Sequence, residues 1–265
     1  MKKIYYFLSG LPRTGTTLLG AILNQNPQVF VGPISPLVDL IQTNLQQFKT
    51  NTSYLANKKI NFENELLTNL PHAWYADVDK KIIIDKNRGW ARHIDYIKKY
   101  ITSDVKIICT VRPVLEILAS FIKIIHQTPN KKSFVDIELY LNKIPITDDN
   151  RCDYLMSKFG VVERCLYSLA QPYINDNENL IHIVDYNDLA ENPKLIINNI
   201  YDFLNLSKYE HDFDNITHGY KEDDEVFGIP DLHTVRKSLS KNEYDYKEFL
   251  SDYVIEKYNN IEFWN

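Results

Sequence analysis

The stretch FLSGLPRTGTT, Phe7 to Thr17, constrains what this chain can fold into more than any other part of it. An apolar run from Ile4 to Leu8 stops at Ser9-Gly10. A short loop with Pro12, Arg13 and Gly15 follows. Thr16 and Thr17 then open an amphipathic stretch (Leu18, Leu19, Ile22, Leu23) that ends at Asn26-Pro27. That order predicts strand, loop, helix. The first N–H groups of a helix have no intrahelical partner, and the helix dipole adds partial positive charge there, so the loop is suited to an anion. Gly10 and Gly15 give the backbone the freedom to form such a loop and to approach a ligand closely.

The pattern departs from the ATP-binding loop, Gly-x-x-x-x-Gly-Lys followed by Ser or Thr. Gly10 and Gly15 are correctly spaced, but Thr16 stands where the lysine that reaches the β- and γ-phosphates belongs. The cation lies inside the loop, as Arg13, whose planar fork suits phosphate or sulfate oxygens. The loop is thus fitted to a smaller anionic group, handled without an obligatory metal.

With 265 residues, 44% of them hydrophobic and 25% charged, the chain has the length and composition of one large α/β domain spanning 1–265. A net charge of -5 argues against nucleic acid as a partner. No run reaches the length of an integral membrane segment. The start, MKKIYYFLSG, superficially resembles a secretory signal, but its apolar run is short and leads straight into the loop, so it is read as the first strand. Cys109, Cys152 and Cys165 lack metal-type spacing and are expected to be thiols of a cytoplasmic protein, Cys109 as packing.

Strands are expected at Lys3–Leu8, Gln28–Val31, Lys81–Asp85, Val105–Val111 and Leu180–Asp185. Helices are expected at Thr17–Asn24, Pro36–Phe48, Phe62–Trp74, His93–Ile101, Val114–Ile125, Cys152–Leu169 and Pro193–Leu204. Several strands are apolar on both faces, as in a buried parallel sheet. The alternation predicts an α/β three-layer sandwich with a central parallel sheet, its ligand site beyond the carboxyl ends of the strands. The polar stretch Gln127–Asn150 predicts a long loop or lid insert, at about 126–150. Tyr209–Glu225 is acidic and weakly periodic and is expected at the surface, with Lys221–Glu225 solvated. In KIICTVRPVLEILASF, Lys106 to Phe121, a strand ends at Arg112 and Pro113 starts a helix. Ser120 then falls about two turns along, on a face that can share a ligand with the strand end.

The run PRTGTTLL with its following Asn-Pro resembles the 5′-phosphosulfate loop of sulfotransferases that use 3′-phosphoadenosine 5′-phosphosulfate (PAPS). It is most similar to the Pro-Arg-Ser-Gly-Thr-Thr form of tyrosylprotein sulfotransferases and bacterial relatives. The resemblance implies a P-loop-containing nucleoside triphosphate hydrolase-like fold and a single sulfotransferase domain, with PAPS as co-substrate, PAP as product and no metal required. It implies that Arg13, Thr14, Gly15, Thr16 and Thr17 hold the phosphosulfate, and that Arg112 and Ser120 hold the 3′-phosphate. In the family an acidic pair or Asp-Pro usually follows that arginine, whereas Arg112 runs directly into Pro113. The segment VDYNDLAENPKLIINNIYDFLNL, Val184 to Leu206, resembles the family's Tyr-Glu-Asp-Leu strand end, which makes Tyr186 a nucleotide-framing candidate beside Asp185 and Asp188. LHTVRKSLSK, Leu232 to Lys241, loosely matches a basic loop that closes over the nucleotide, through Arg236, Lys237 and Lys241.

The resemblance gives Lys86, at the end of KKIIIDK, a catalytic place near the leaving group, alongside Arg13. It leaves the base open. The histidine of the family's Lys-x-His element is Arg88 here. The glutamate that tyrosylprotein sulfotransferases carry after the second strand is missing from FVGPISPLVDL, which has no acid before Asp39. Asp85, His93, Asp39 and His72 remain as candidates. The acceptor implied is a hydroxyl or amine on a small molecule, sugar or peptide. Two alternatives stand beside this reading: a P-loop-type nucleotide or metabolite kinase, and a catalytically silent PAP- or PAPS-binding protein.

Overall fold

The structure, a computed structural model, describes residues 2–127, 133–217, 219–220, 223–227, 233–235, 237, 239 and 245–264. Among them five strands, β1 (Ile4–Gly10), β2 (Val29–Ile34), β3 (Ile82–Lys86), β4 (Ile107–Val111) and β5 (Ile181–Asp185), form one sheet in the order β2-β3-β1-β4-β5. Each pairing is parallel. The helices are α1 (Thr16–Leu23), α2 (Leu37–Thr50), α3 (Thr52–Ala56), α4 (Phe62–Trp74), α5 (Ile94–Tyr100), α6 (Val114–His126), α7 (Phe134–Leu141), α8 (Asp148–Leu155), α9 (Val161–Ile174), α10 (Tyr186–Glu191), α11 (Pro193–Leu204) and α12 (Asp252–Tyr258).

Alternation along the strands sends side chains to two cores, because successive residues of a strand face opposite sides. Tyr5, Phe7, Ile83, Ile107, Cys109 and Val111 pack under α2, α4, α5, α6, α8 and α9. Tyr6, Leu8, Ile82, Ile84, Ile108 and Val184 pack under α1, α10 and α11. The expected three-layer α/β sandwich is therefore the observed one. All three cysteines are buried and reduced, and burial pushes their thiols up, that of Cys152 to about 12.

One expectation fails locally. The helix expected over Cys152–Leu169 is two helices, α8 and α9. Gly160 separates them in an extended conformation (φ -73°, ψ 150°), and a Cβ there would lie 2.1 Å from the carbonyl oxygen of Tyr154. The stretch expected as a long loop or lid insert carries a helix of its own, α7. Ser133 caps this helix by accepting from the Asp136 amide, while the Asp136 carboxylate accepts from the Ser133 amide. Arg151 of α8 then clamps Asp136 at 2.8 Å and Asp148 at 2.6 Å, which ties α7 to α8.

The strand order positions the site. From β1 the chain crosses to β2 and returns through β3 on the same side, whereas β4 and β5 lie on the other side of β1. The connections leaving β1 and β4 therefore diverge, and a crevice opens between their carboxyl ends. Register brings the termini level, with Leu8 beside Lys86, Gly10 beside Thr110 and Val111 beside Asp185.

Candidate active site

The loop after β1 is shaped by two left-handed glycines and an arginine. Gly10 (φ 122°) crosses β4 so closely that a Cβ would lie 2.2 Å from the Thr110 carbonyl oxygen. Arg13 (φ 62°) and Gly15 (φ 74°) complete the turn. Thr14 is buried, and its hydroxyl bonds the Leu11 carbonyl (2.7 Å) and the Thr110 hydroxyl (2.6 Å), so its side chain serves the loop. α1 starts at Thr16 with no acidic residue in its first turn. The helix end thus presents its amides without a competing local carboxylate.

Two connections converge on this loop, the one from β4 into α6 and the one from β5 into α10. Arg112, 5% exposed, leaves β4 and donates from Nε to Glu116 Oε2 at 2.8 Å. Its guanidinium lies 4.7 Å from the centroid of the Tyr186 ring. Tyr186 opens α10 after β5, and a Cβ on Gly15 would sit 2.7 Å from its ring, so only glycine admits the ring there. Asp185 caps that turn by accepting from the amides of Asn187 and Asp188. Ser120 of α6 accepts from Arg13 Nε at 3.2 Å. The structure therefore brings Arg13, Gly15, Arg112, Ser120 and Tyr186 together.

Lys86 ends β3 and is 3% exposed. It points to the α1 side of the sheet, where Nζ donates to the Tyr220 hydroxyl at 3.0 Å. Nothing in the sequence marks Tyr220, which lies in the acidic run expected at the surface. Glu116 was likewise missed, although its spacing from Arg112 is that of an i,i+4 helix pair. The basic loop is only partly described. Lys237 is exposed and its carbonyl accepts from the Ile216 amide at 2.7 Å. Arg236 and Lys241 lie outside the described residues.

The four base candidates fare differently. Asp85 faces the opposite core from Lys86, fully buried, and accepts from Ser35 Oγ (2.6 Å), Trp90 Nε1 (2.6 Å) and Tyr75 Oη (2.7 Å). Burial holds its carboxyl above the usual range despite these bonds. It is a structural hub. His72 bonds Tyr5 Oη (3.1 Å) and lines a surface cleft with Lys2 and Lys3, at the amino end of the sheet. His93 contacts Gln42 and stacks on Tyr96; burial, then Arg92, pull its imidazole down to about 4. Asp39 is exposed in the first turn of α2. That helix starts just beyond a clamp in which Ser35 accepts from the Asn87 side chain (2.7 Å) and donates its amide to the Lys86 carbonyl (2.8 Å). Among the described residues, no group of three or more His, Cys, Asp or Glu side chains is arranged to hold a metal ion.

Comparison with known proteins bears on this arrangement. The chain is similar in structure to the sulfotransferase domain from the curacin biosynthetic pathway, with a TM-score of 0.51 and 15% identity, covering 100% of this chain and 93% of that one. It is also similar to the sulfotransferase domain from the Synechococcus PCC 7002 olefin synthase, with a TM-score of 0.51 and 15% identity, covering 100% and 91%. A mouse sulfotransferase, SULT7A1, complexed with PAP, gives a TM-score of 0.52 at 12% identity, covering 97% and 82%. At these identities the likeness is one of fold, the P-loop-like α/β fold of sulfotransferases. No curated protein matches the chain. The family model described as "Sulfotransferase family" matches residues 6–211, a span that takes in the loop after β1 and the connections after β3, β4 and β5. A match over that much of the sequence, on a sheet of the same architecture, makes the chain a member of the sulfotransferase family.

Proposed function

We propose that the chain transfers the sulfuryl group of PAPS to a hydroxyl or amine of a small-molecule, sugar or peptide acceptor. The observation that carries this reading is the joining of two anion-suited loci in one crevice. The loop after β1 and the β4–α6 connection meet through Arg13 and Ser120 at 3.2 Å, and Tyr186 bridges Gly15 and Arg112. A nucleotide with anionic groups on both its 3′ and 5′ oxygens would offer one anion to each locus. The PAP bound to the mouse relative supports the same choice.

In this reading the amides of Gly15, Thr16 and Thr17 and the Arg13 fork hold the 5′-phosphosulfate. Arg112 and Ser120 hold the 3′-phosphate, and Tyr186 frames the nucleoside. As the acceptor oxygen or nitrogen bonds to sulfur, the bond from sulfur to the 5′-phosphate oxygen breaks. Lys86 stabilises the charge left on that oxygen, an interaction worth more in the transition state than before it. The acceptor proton must leave to a base. Asp39 is the candidate whose carboxylate is exposed at this end of the sheet.

The test is a thermal-shift comparison, since a ligand that binds only the folded state raises the melting temperature. PAP should stabilise the chain, and ATP with magnesium should do so far less because it lacks a 3′-phosphate. Stabilisation by ATP–magnesium but not by PAP overturns the reading in favour of a kinase. PAP binding without turnover across a broad acceptor pool favours a silent binder.

A further inference from the structure

The segment that follows α11 returns along α1. Asp212 exchanges two hydrogen bonds with Gln25, at 2.8 and 2.7 Å. Ile216 is buried against the α1 layer. Gly219 lies against Asn24, where a Cβ would sit 3.5 Å from the side-chain amide. The Tyr220 hydroxyl then comes within 3.9 Å of the position a Cβ on Gly20 would take. The contacts step from Gln25 back to Gly20 as the chain runs from 212 to 220, so this strap runs antiparallel to α1 and ends beside the carboxyl end of β3. There Lys86 Nζ donates to Tyr220 Oη at 3.0 Å, with the ring centroid 5.3 Å away. The ammonium therefore lies off the hydroxyl end of the ring and not over its face, so its contact with Tyr220 is made through the phenol oxygen.

We propose that Tyr220 is a positioning residue for Lys86, delivered by the strap so that its phenol oxygen fixes the ammonium at the reacting end of the site. The inference rests on the sulfuryl-transfer reading of Lys86. A lysine ammonium sits on a flexible stem with several rotatable bonds, and it can stabilise a developing charge well only if it is already in place. One N–H directed to Tyr220 restricts where the other two point, because the three are tetrahedrally disposed about nitrogen. Burial of the stem at the strand end and the anchored strap supply the rest of the constraint.

The experiment uses the full chain and the variants Tyr220→Phe, Lys86→Ala and the double variant. Turnover is followed with PAP and a panel of aryl, alkyl and sugar sulfates, the reaction run backward, in which each sulfate ester stands for one class of acceptor. PAP affinity is measured by calorimetry, and lysine ammonium groups are observed by nitrogen–proton NMR. Tyr220→Phe should lower kcat about tenfold with PAP affinity unchanged and a small fall in melting temperature, as loss of one hydrogen bond in the fold gives. In the Lys86→Ala background it should cause no further loss, since coupled residues are not additive. The ammonium resonance that disappears in Lys86→Ala should move in Tyr220→Phe. Wild-type kcat in Tyr220→Phe, or an undiminished effect when Lys86 is absent, overturns the proposal. If the wild type neither binds PAP nor transfers a sulfuryl group, the functional reading fails, and an unmoved resonance in Tyr220→Phe separately refutes the positioning role.

Discussion

Arg112 leaves β4 with its guanidinium oriented on two sides, by Glu116 at Nε and by the Tyr186 ring across its plane. Glu116 is a carboxylate beside a proposed phosphate site, and its charge opposes an incoming anion. Its compensation is geometric, because a fixed Nε aims the rest of the fork. Arg112→Ala should weaken PAP binding by about 1.5–3 kcal/mol, as loss of a hydrogen bond to a charged group does. Ser120→Ala should cost about 1 kcal/mol, since a neutral hydroxyl bonds more weakly. Calorimetric titration with PAP checks both, and equal affinity in wild type and Arg112→Ala would remove Arg112 from the site. The spacing of Arg112 and Ser120 was legible because a strand end and a two-turn helix fix it locally. The Arg13–Ser120 bond was not legible, because it spans 107 positions and depends on how α6 packs across the loop. Asp85 shows the same limit. It is one of the base candidates and adjoins Lys86 in sequence, yet strand alternation turns it to the other face of the sheet, onto three donors.

At the scale of elements, the strands were readable to within a few residues, because buried parallel strands are continuous apolar runs. The division between α8 and α9 was hidden, because both halves carry apolar residues at helical spacing and the break depends on Gly160. That glycine sits in ordinary extended backbone, so its role is spatial: the carbonyls of Tyr154 and Leu155 lie 2.1 and 2.2 Å from where its Cβ would be. Backbone atoms cannot step aside as a flexible side-chain end can. Gly160→Ala should therefore destabilise the fold by about 1–3 kcal/mol through overpacking. Gly20→Ala provides the contrast. Its Cβ would meet Val31 Cγ1 at 3.1 Å inside α1, where a small shift accommodates it and alanine is the better helix former. Urea denaturation of the two variants should separate them clearly. If Gly160→Ala matches wild type, the break is set by something other than this contact.

Over the whole molecule, the candidate site is assembled from segments far apart in sequence, brought to one edge by the sheet and linked there by side-chain contacts. The loop at 11–17, the end of β3, the β4–α6 connection, the start of α10 and the strap ending at Tyr220 meet at the carboxyl ends of the strands. The sequence made most of these segments visible singly, through apolar runs that stop at Gly10, Lys86, Arg112 and Asp185. It could not convey their convergence, because that follows from the order β2-β3-β1-β4-β5 and from the crevice this order opens beside β1. A ligand in that crevice should couple them, since it lowers the free energy of the folded state relative to states in which any of its contact segments opens. Hydrogen exchange with and without PAP reads this directly. Amides of residues 13–17, 112–120 and 186–188 should slow together on PAP addition, although they belong to different connections. Amides of residues 75–80, at the amino end of the sheet, should keep their exchange rates where they open by local fraying. Protection confined to the loop after β1 would mean that only one anion locus is occupied, and the 3′-phosphate assignment to Arg112 and Ser120 would fall with it.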